Sequence, residues 1–137
     1  MVKSTIGHLQ FNIQRENIGF YKELFTFLGW SLWHEDENIL GVGNEQGSSL
    51  WFVSPAKDAP YDYDGLGMNH LALAVESQDE VDQVVNYLKE NDIEALFDTP
   101  RHRPEFSGGP EQTYYQVIFV SPDRIQLEAV YTGSKAK

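Results

Sequence analysis

The sequence predicts an α+β fold of two repeated βαβββ modules whose strands form a curved mixed sheet cup. Three observations predict it. A histidine-led alternating segment occurs twice, as Gly7-His8-Leu9-Gln10-Phe11-Asn12-Ile13 and as Asn69-His70-Leu71-Ala72-Leu73-Ala74-Val75. A run with helical spacing follows each copy. Three short runs of strand character then follow each helix. These give one domain over residues 1–137, with module one at 4–55, a linker at 56–66, module two at 67–132 and a loose tail at 133–137.

The elements follow in order. In the first segment Leu9, Phe11 and Ile13 form one face, and His8, Gln10 and Asn12 the other. Tyr21, Leu24, Phe25 and Leu28 have i, i+3, i+4, i+7 spacing, and Gly29 suits the helix stop. Strand-like runs are expected at 30–33, 38–42 and 49–53, with turn chemistry in Asn44-Glu45-Gln46-Gly47. The connection holds Pro60, Gly65 and three aspartates. In the second copy Leu71, Leu73 and Val75 oppose His70, Ala72 and Ala74. Ser77-Gln78-Asp79-Glu80 is a capping box, and Val81, Val84, Val85 and Leu88 continue the helix. Strands are expected at 94–97, 113–120 and 125–131, the last after the turn Ser121-Pro122-Asp123-Arg124. Each helix can cover the apolar face of its strands, which leaves the histidine face open.

Composition limits what the chain can be. At 137 residues with 41% hydrophobic content, a packed core is attainable and disorder is not expected. The absence of cysteine rules out disulfides, thiolate metal sites and a cysteine nucleophile. A formal net charge of −11 opposes nucleic acid and anionic membranes. Arg101-His102-Arg103 is a local basic cluster in this acidic chain. No signal-like or membrane-length apolar run is present, so a cytoplasmic location is expected.

The open face carries the chemistry. In the last strand Glu128 alternates with Ile125, Leu127 and Ala129, and so shares a face with Gln126 and Val130. A lone strand histidine is usually structural, and a lone glutamate is usually solvated. Two repeat-related histidines with an inward carboxylate are a different matter. His8, His70 and Glu128 form a candidate set of two imidazoles and one carboxylate for a divalent metal such as Zn, Mn, Fe, Ni or Co. Tyr114, Gln116 and Ile118 fall on the same face. Tyr114 is a candidate acid or hydrogen-bond donor, or else a pocket-lining aromatic. Gln10, Asn12, Trp51 and Gln116 are candidate substrate contacts. Arg101 and Arg103, expected in the loop before the long strand, could close over an anionic group.

His8-Leu9, Gly19-Phe20-Tyr21 through Leu28-Gly29-Trp30, His70-Leu71-Ala72-Leu73 and the run from Phe119-Val120-Ser121-Pro122 to Leu127-Glu128 resemble the vicinal-oxygen-chelate superfamily. That superfamily includes glyoxalase I, bleomycin resistance proteins, fosfomycin resistance proteins and extradiol dioxygenases. The resemblance covers nearly the whole chain. It implies metal ligands on the first and last strands of each module, at places that His8, Trp51, His70 and Glu128 hold here. Glyoxalase I enzymes generally place a glutamate where Trp51 stands, and tryptophan can neither ligate nor act as a base, so true glyoxalase I activity is not expected. Ser49-Leu50-Trp51 and Leu127-Glu128-Ala129 are similar to fosfomycin resistance proteins. Ile118 occupies a place where those proteins and extradiol dioxygenases carry a functional tyrosine.

The expected function is therefore a metal-dependent enzyme chelating a small oxygen-bearing substrate, of lyase, isomerase or transferase type. A fosfomycin-type thiol transferase or an extradiol dioxygenase is the narrower alternative. A metal-free drug-binding protein like the bleomycin resistance branch is the alternative from another class. A two-fold homodimer is also expected, either with His8 of one chain meeting His70 and Glu128 of the other, or with each chain closing its own cup and the dimer packing backs together.

Overall fold

A computed structural model describes residues 1–135. The chain divides into two compact units, Met1–Pro60 and a second beginning at Tyr61. The first unit runs β1 (His8–Asn12), α1 (Ile18–Phe27), β2 (Ser31–Glu35), β3 (Ile39–Gly43) and β4 (Ser49–Val53). The second runs β5 (Leu71–Ala74), α2 (Gln78–Glu90), β6 (Leu96–His102), β7 (Gln112–Val120) and β8 (Gln126–Ser134). Each unit has one four-stranded mixed sheet, ordered β1-β4-β3-β2 and β5-β8-β7-β6. In each, the first and last strands pair in parallel and the other neighbours pair antiparallel. The two βαβββ copies therefore share one topology.

Period-two alternation sets which side chains each sheet buries. In the first unit Phe11, Ile13, Leu40, Val42, Leu50 and Phe52 are buried with Tyr21, Leu24 and Phe25 of α1. Phe52 anchors this core, its ring 4.4 Å from Tyr21 and 5.3 Å from Phe11 between centroids. In the second unit α2 packs on β6, β7 and β8, burying Val81, Val84, Val85 and Leu88 with Val117, Phe119, Leu127 and Ala129. Burial of each such aliphatic side chain contributes about 1.5–3 kcal/mol, so Leu88→Ala would cost about 2–5 kcal/mol.

Helix ends follow local chemistry. Gly29, at φ +86°, ends α1, where the Gly29 N–H donates to the Thr26 carbonyl and the Trp30 N–H to the Phe25 carbonyl. Ser77 caps α2 by accepting from the Glu80 N–H at 3.1 Å. The Glu80 carboxylate reaches back to the Glu76 N–H, one residue before the N-cap. Asp92, at φ +57°, takes the left-handed position after α2.

The structure corrects two boundaries. β6 extends to His102, so Arg101 lies in a strand rather than a loop. Pro100 obscures this in the sequence, because proline is excluded from central strands, yet β6 is an edge strand, where proline is tolerated. β8 runs to Ser134, paired with Gln112, so 133 and 134 belong to the sheet rather than a tail. Residues 136 and 137 of that expected tail lie outside the described residues.

Candidate functional site

In the first unit the face away from α1 carries His8, Gln10 and Asn12, whose β4 partners are Ser49, Trp51 and Val53. His8, Gln10 and Asn12 are exposed, and the Gln10 Nε2 donates to Asn12 Oδ1 at 3.1 Å. Trp51 lies flat over Gly41, where an added Cβ would sit 2.5 Å from the indole. Its Nε1–H donates to Ser49 Oγ at 3.0 Å, which fixes the ring. Trp33, half exposed, covers Gly43 in the same way. Glycine at both positions is what admits the rings. A bulge between Leu32 and His34 presents His34 beside this platform, its ring 6.0 Å from Trp51 and its Nε2 2.8 Å from Asp36.

The second unit gathers polar side chains around Glu128, which is only 1% exposed. Register puts Ala72 and Ile118 on either side of it, with Gln116 opposite Val130 and Tyr114 opposite Thr132. The Tyr114 hydroxyl lies 3.2 Å from both carboxylate oxygens. Gln116 Nε2 donates to Glu128 Oε1, and its Oε1 accepts from Arg103 Nη1 at 3.0 Å. Arg103 also pairs with Glu105 and lies 4.9 Å from the Phe106 ring centroid, which in turn meets Tyr114 edge-on. Arg101 is exposed on β6, in register with Gln116. Burial pushes the Tyr114 hydroxyl pKa up, and the Glu128 charge and hydrogen bond add to this, with Arg103 opposing. A backbone hydrogen bond, then the Arg103 side chain, holds the Glu105 carboxyl below its usual range.

His70 precedes β5 by one residue, with its Nε2 3.6 Å from Glu128 Oε2. Two donors on one tetrahedral ion lie roughly 3.4 Å apart, from metal–ligand lengths near 2.1 Å. The donor types and their spacing fit a divalent cation. Among the described residues no group of three or more His, Asp or Glu side chains comes together as a metal cluster, so this pair is two donors of the expected three. His8 stands on the open face of its own unit.

Asn69 and Gln126 also belong to this neighbourhood; alternation puts Gln126 on the Glu128 face but carries no signal for Asn69. Asn69 Oδ1 lies 2.8 Å from His70 Nδ1 and accepts from Gln126 Nε2 at 3.0 Å. Its amide donates to the Tyr63 carbonyl and to Asp64. The Gln126 Oε1 is buried and has no partner among the described residues.

No protein-family model matches the chain. The uncharacterized protein YqjT of Bacillus subtilis (strain 168) is 30% identical over 110 residues, covering 80% of this chain and 77% of that protein. Among solved structures, a glyoxalase candidate from Bacillus halodurans superposes with a TM-score of 0.78 at 25% identity, covering 94% of this chain and 96% of that one. A glyoxalase/dioxygenase from Nostoc punctiforme gives 0.74 at 18% identity, over 95% and 92% of the two chains. The fosfomycin resistance protein FosX of Listeria monocytogenes, solved with Mn(II) and sulfate, gives 0.69 at 15% identity, over 96% and 93%. With its doubled βαβββ topology and these relatives, the chain belongs to the vicinal-oxygen-chelate superfamily of glyoxalases, bleomycin resistance proteins and dioxygenases.

Proposed function

We propose that the chain is a metal-dependent enzyme that binds a small oxygen-bearing substrate, of lyase, isomerase or transferase type. The observation that carries this reading is the buried Glu128 carboxylate facing His70 Nε2 at 3.6 Å. A buried carboxylate needs a cation or strong donors, and this one has an imidazole at a distance suited to shared coordination. FosX, a structural neighbour, was solved with Mn(II). His70 and Glu128 would hold the ion, with His8 as the third ligand suggested by the repeat. The bound ion would supply Lewis acidity to substrate oxygens.

The chain's own residues do the rest. Tyr114 keeps a proton on its hydroxyl beside Glu128, a state that its burial and the neighbouring carboxylate favour, and can donate a hydrogen bond. Gln116 orients the carboxylate, and Arg103 holds Gln116. Arg101 is the cation proposed to meet an anionic substrate group. Gln10, Asn12 and Trp51 are the further proposed substrate contacts.

Metal analysis of protein purified without chelator or a nickel column tests this directly. Near-stoichiometric divalent metal is expected in the wild type, with most of it lost in Glu128→Ala and in His70→Ala. Full metal content in both variants would sink the proposal. Thiol transfer to fosfomycin and ring cleavage of a catechol are the narrower activities to assay on the loaded protein.

The indole platform favours a second reading, metal-free binding of a planar ligand. Trp33 and Trp51 present flat faces on a chain of net charge −11, which suits a cationic aromatic. Saturable quenching of tryptophan fluorescence by such a ligand, in protein stripped of metal, would support it.

A further inference from the structure

We propose that Asn69 is a positioning residue that holds His70 in its Nδ1–H tautomer and so presents the Nε2 lone pair toward Glu128. The inference rests on the metal-dependent reading above and deepens it. It starts from a carbonyl. The Tyr63 backbone oxygen can only accept, so the group 3.0 Å away on Asn69 is its amide nitrogen. The same nitrogen lies 3.2 Å from the Asp64 carboxylate, another acceptor. The Asn69 amide therefore has one orientation, with Oδ1 turned to His70 Nδ1 at 2.8 Å.

An amide oxygen cannot donate, so Nδ1 carries the proton. In the neutral ring Nε2 then holds a lone pair. Nε2 faces Glu128 Oε2 at 3.6 Å, so two electron-rich atoms confront each other unless a metal ion or a proton lies between them. The Asn69 oxygen accepts a second bond from Gln126 Nε2 at 3.0 Å, which uses both of its lone pairs. Tyr63, Asp64, Asn69, Gln126 and His70 thus form one directed network, and its output is an imidazole prepared to ligate. Partners of this kind typically change metal affinity by about 10–100-fold.

The test uses the full chain, labelled with 15N, at a pH where the imidazoles are neutral. With four histidines in the sequence, long-range 1H–15N spectra resolve each ring, and His70→Gln identifies the His70 peaks. The wild type is expected to show Nδ1 protonated and Nε2 bare. Asn69→Ala should shift His70 toward the Nε2–H form and weaken Zn2+ binding by about 10–100-fold in a calorimetric titration. Asn69→Asp keeps an acceptor for Nδ1 but turns its other oxygen toward the Tyr63 carbonyl and Asp64. It should therefore hold the Nδ1–H tautomer while binding Zn2+ more tightly than Asn69→Ala and more weakly than the wild type. A wild-type Nε2–H tautomer overturns the proposal, as does an Nδ1–H tautomer that persists unchanged in Asn69→Ala. If the tautomer follows Asn69 but the wild type binds no Zn2+, the positioning role stands and the metal-dependent reading is what fails.

Discussion

Gln116 has one workable orientation, because the Arg103 guanidinium can only donate and so claims the amide oxygen. The amide nitrogen is thereby aimed at Glu128. Gln116→Leu should leave the buried carboxylate short of a donor and lower stability by about 1–3 kcal/mol, read from urea melts. No loss of stability would mean that Tyr114 alone satisfies Glu128. At Gly43 an added methyl would collide with the Trp33 indole. Gly43→Ala should swing that half-exposed ring off the sheet and red-shift tryptophan emission, while an unchanged spectrum would show the platform to be loose. Single residues were unevenly legible in the sequence. Period two alone puts Glu128, Gln116 and Tyr114 on one face. It says nothing of Arg103 bonding Gln116, which depends on how the turn Pro104–Phe106 folds back. Asn69 was hidden for a related reason: its partners Tyr63 and Asp64 lie in a connection without periodicity. Gly41 and Gly43, two glycines alternating within a strand, were the one available signal for the indoles.

At the scale of elements, α2 was the most legible, since its cap, spacing and charge all agree. Ser77→Ala should cost about 1 kcal/mol of stability. Asp92→Gly should add roughly 0.5–1 kcal/mol, since glycine takes the left-handed conformation without a Cβ penalty. The Tyr115 hydroxyl donates to Asp82 at 2.7 Å and ties α2 to β7. Burial, then that hydrogen bond, pushes the Tyr115 pKa up to about 12. The fold thus favours the neutral phenol. Its contribution is full below the unfolded value of about 10 and is lost as pH rises from there through about 12. Spectrophotometric titration of Tyr115→Phe should lose one late-ionising tyrosine relative to the wild type. The edge strands were the least legible elements. β6 carries Pro100 and a register shift between Leu96 and Arg101. β2 is exposed along its length and is bulged at Trp33. Such features blur a strand pattern because they discourage edge-to-edge association.

For the molecule as a whole, the repeat was legible because two histidine-led alternating segments stand in equivalent places, each followed by a helix and three strands. The assembly is a separate matter. β1 and β5, the other sheet edges, carry no proline and no register shift. Bare edges of this kind call for a cover. The proposal is a two-fold homodimer, which sedimentation equilibrium should report as twice the chain mass. Mixing His8→Ala with Glu128→Ala chains, with subunit exchange verified, should restore about a quarter of the metal sites if ligands are shared between copies. No recovery would mean that they are not. The parallel pairing of first and last strands has a further consequence, in the timing of synthesis. β1 waits for β4, so the first sheet can close once Val53 has left the ribosome, before the second unit exists. β5 waits for β8 in turn, and β8 is the strand that carries Glu128. A nascent chain stalled before Gln126 would hold every strand of the first sheet but an incomplete second one, without the carboxylate at its centre.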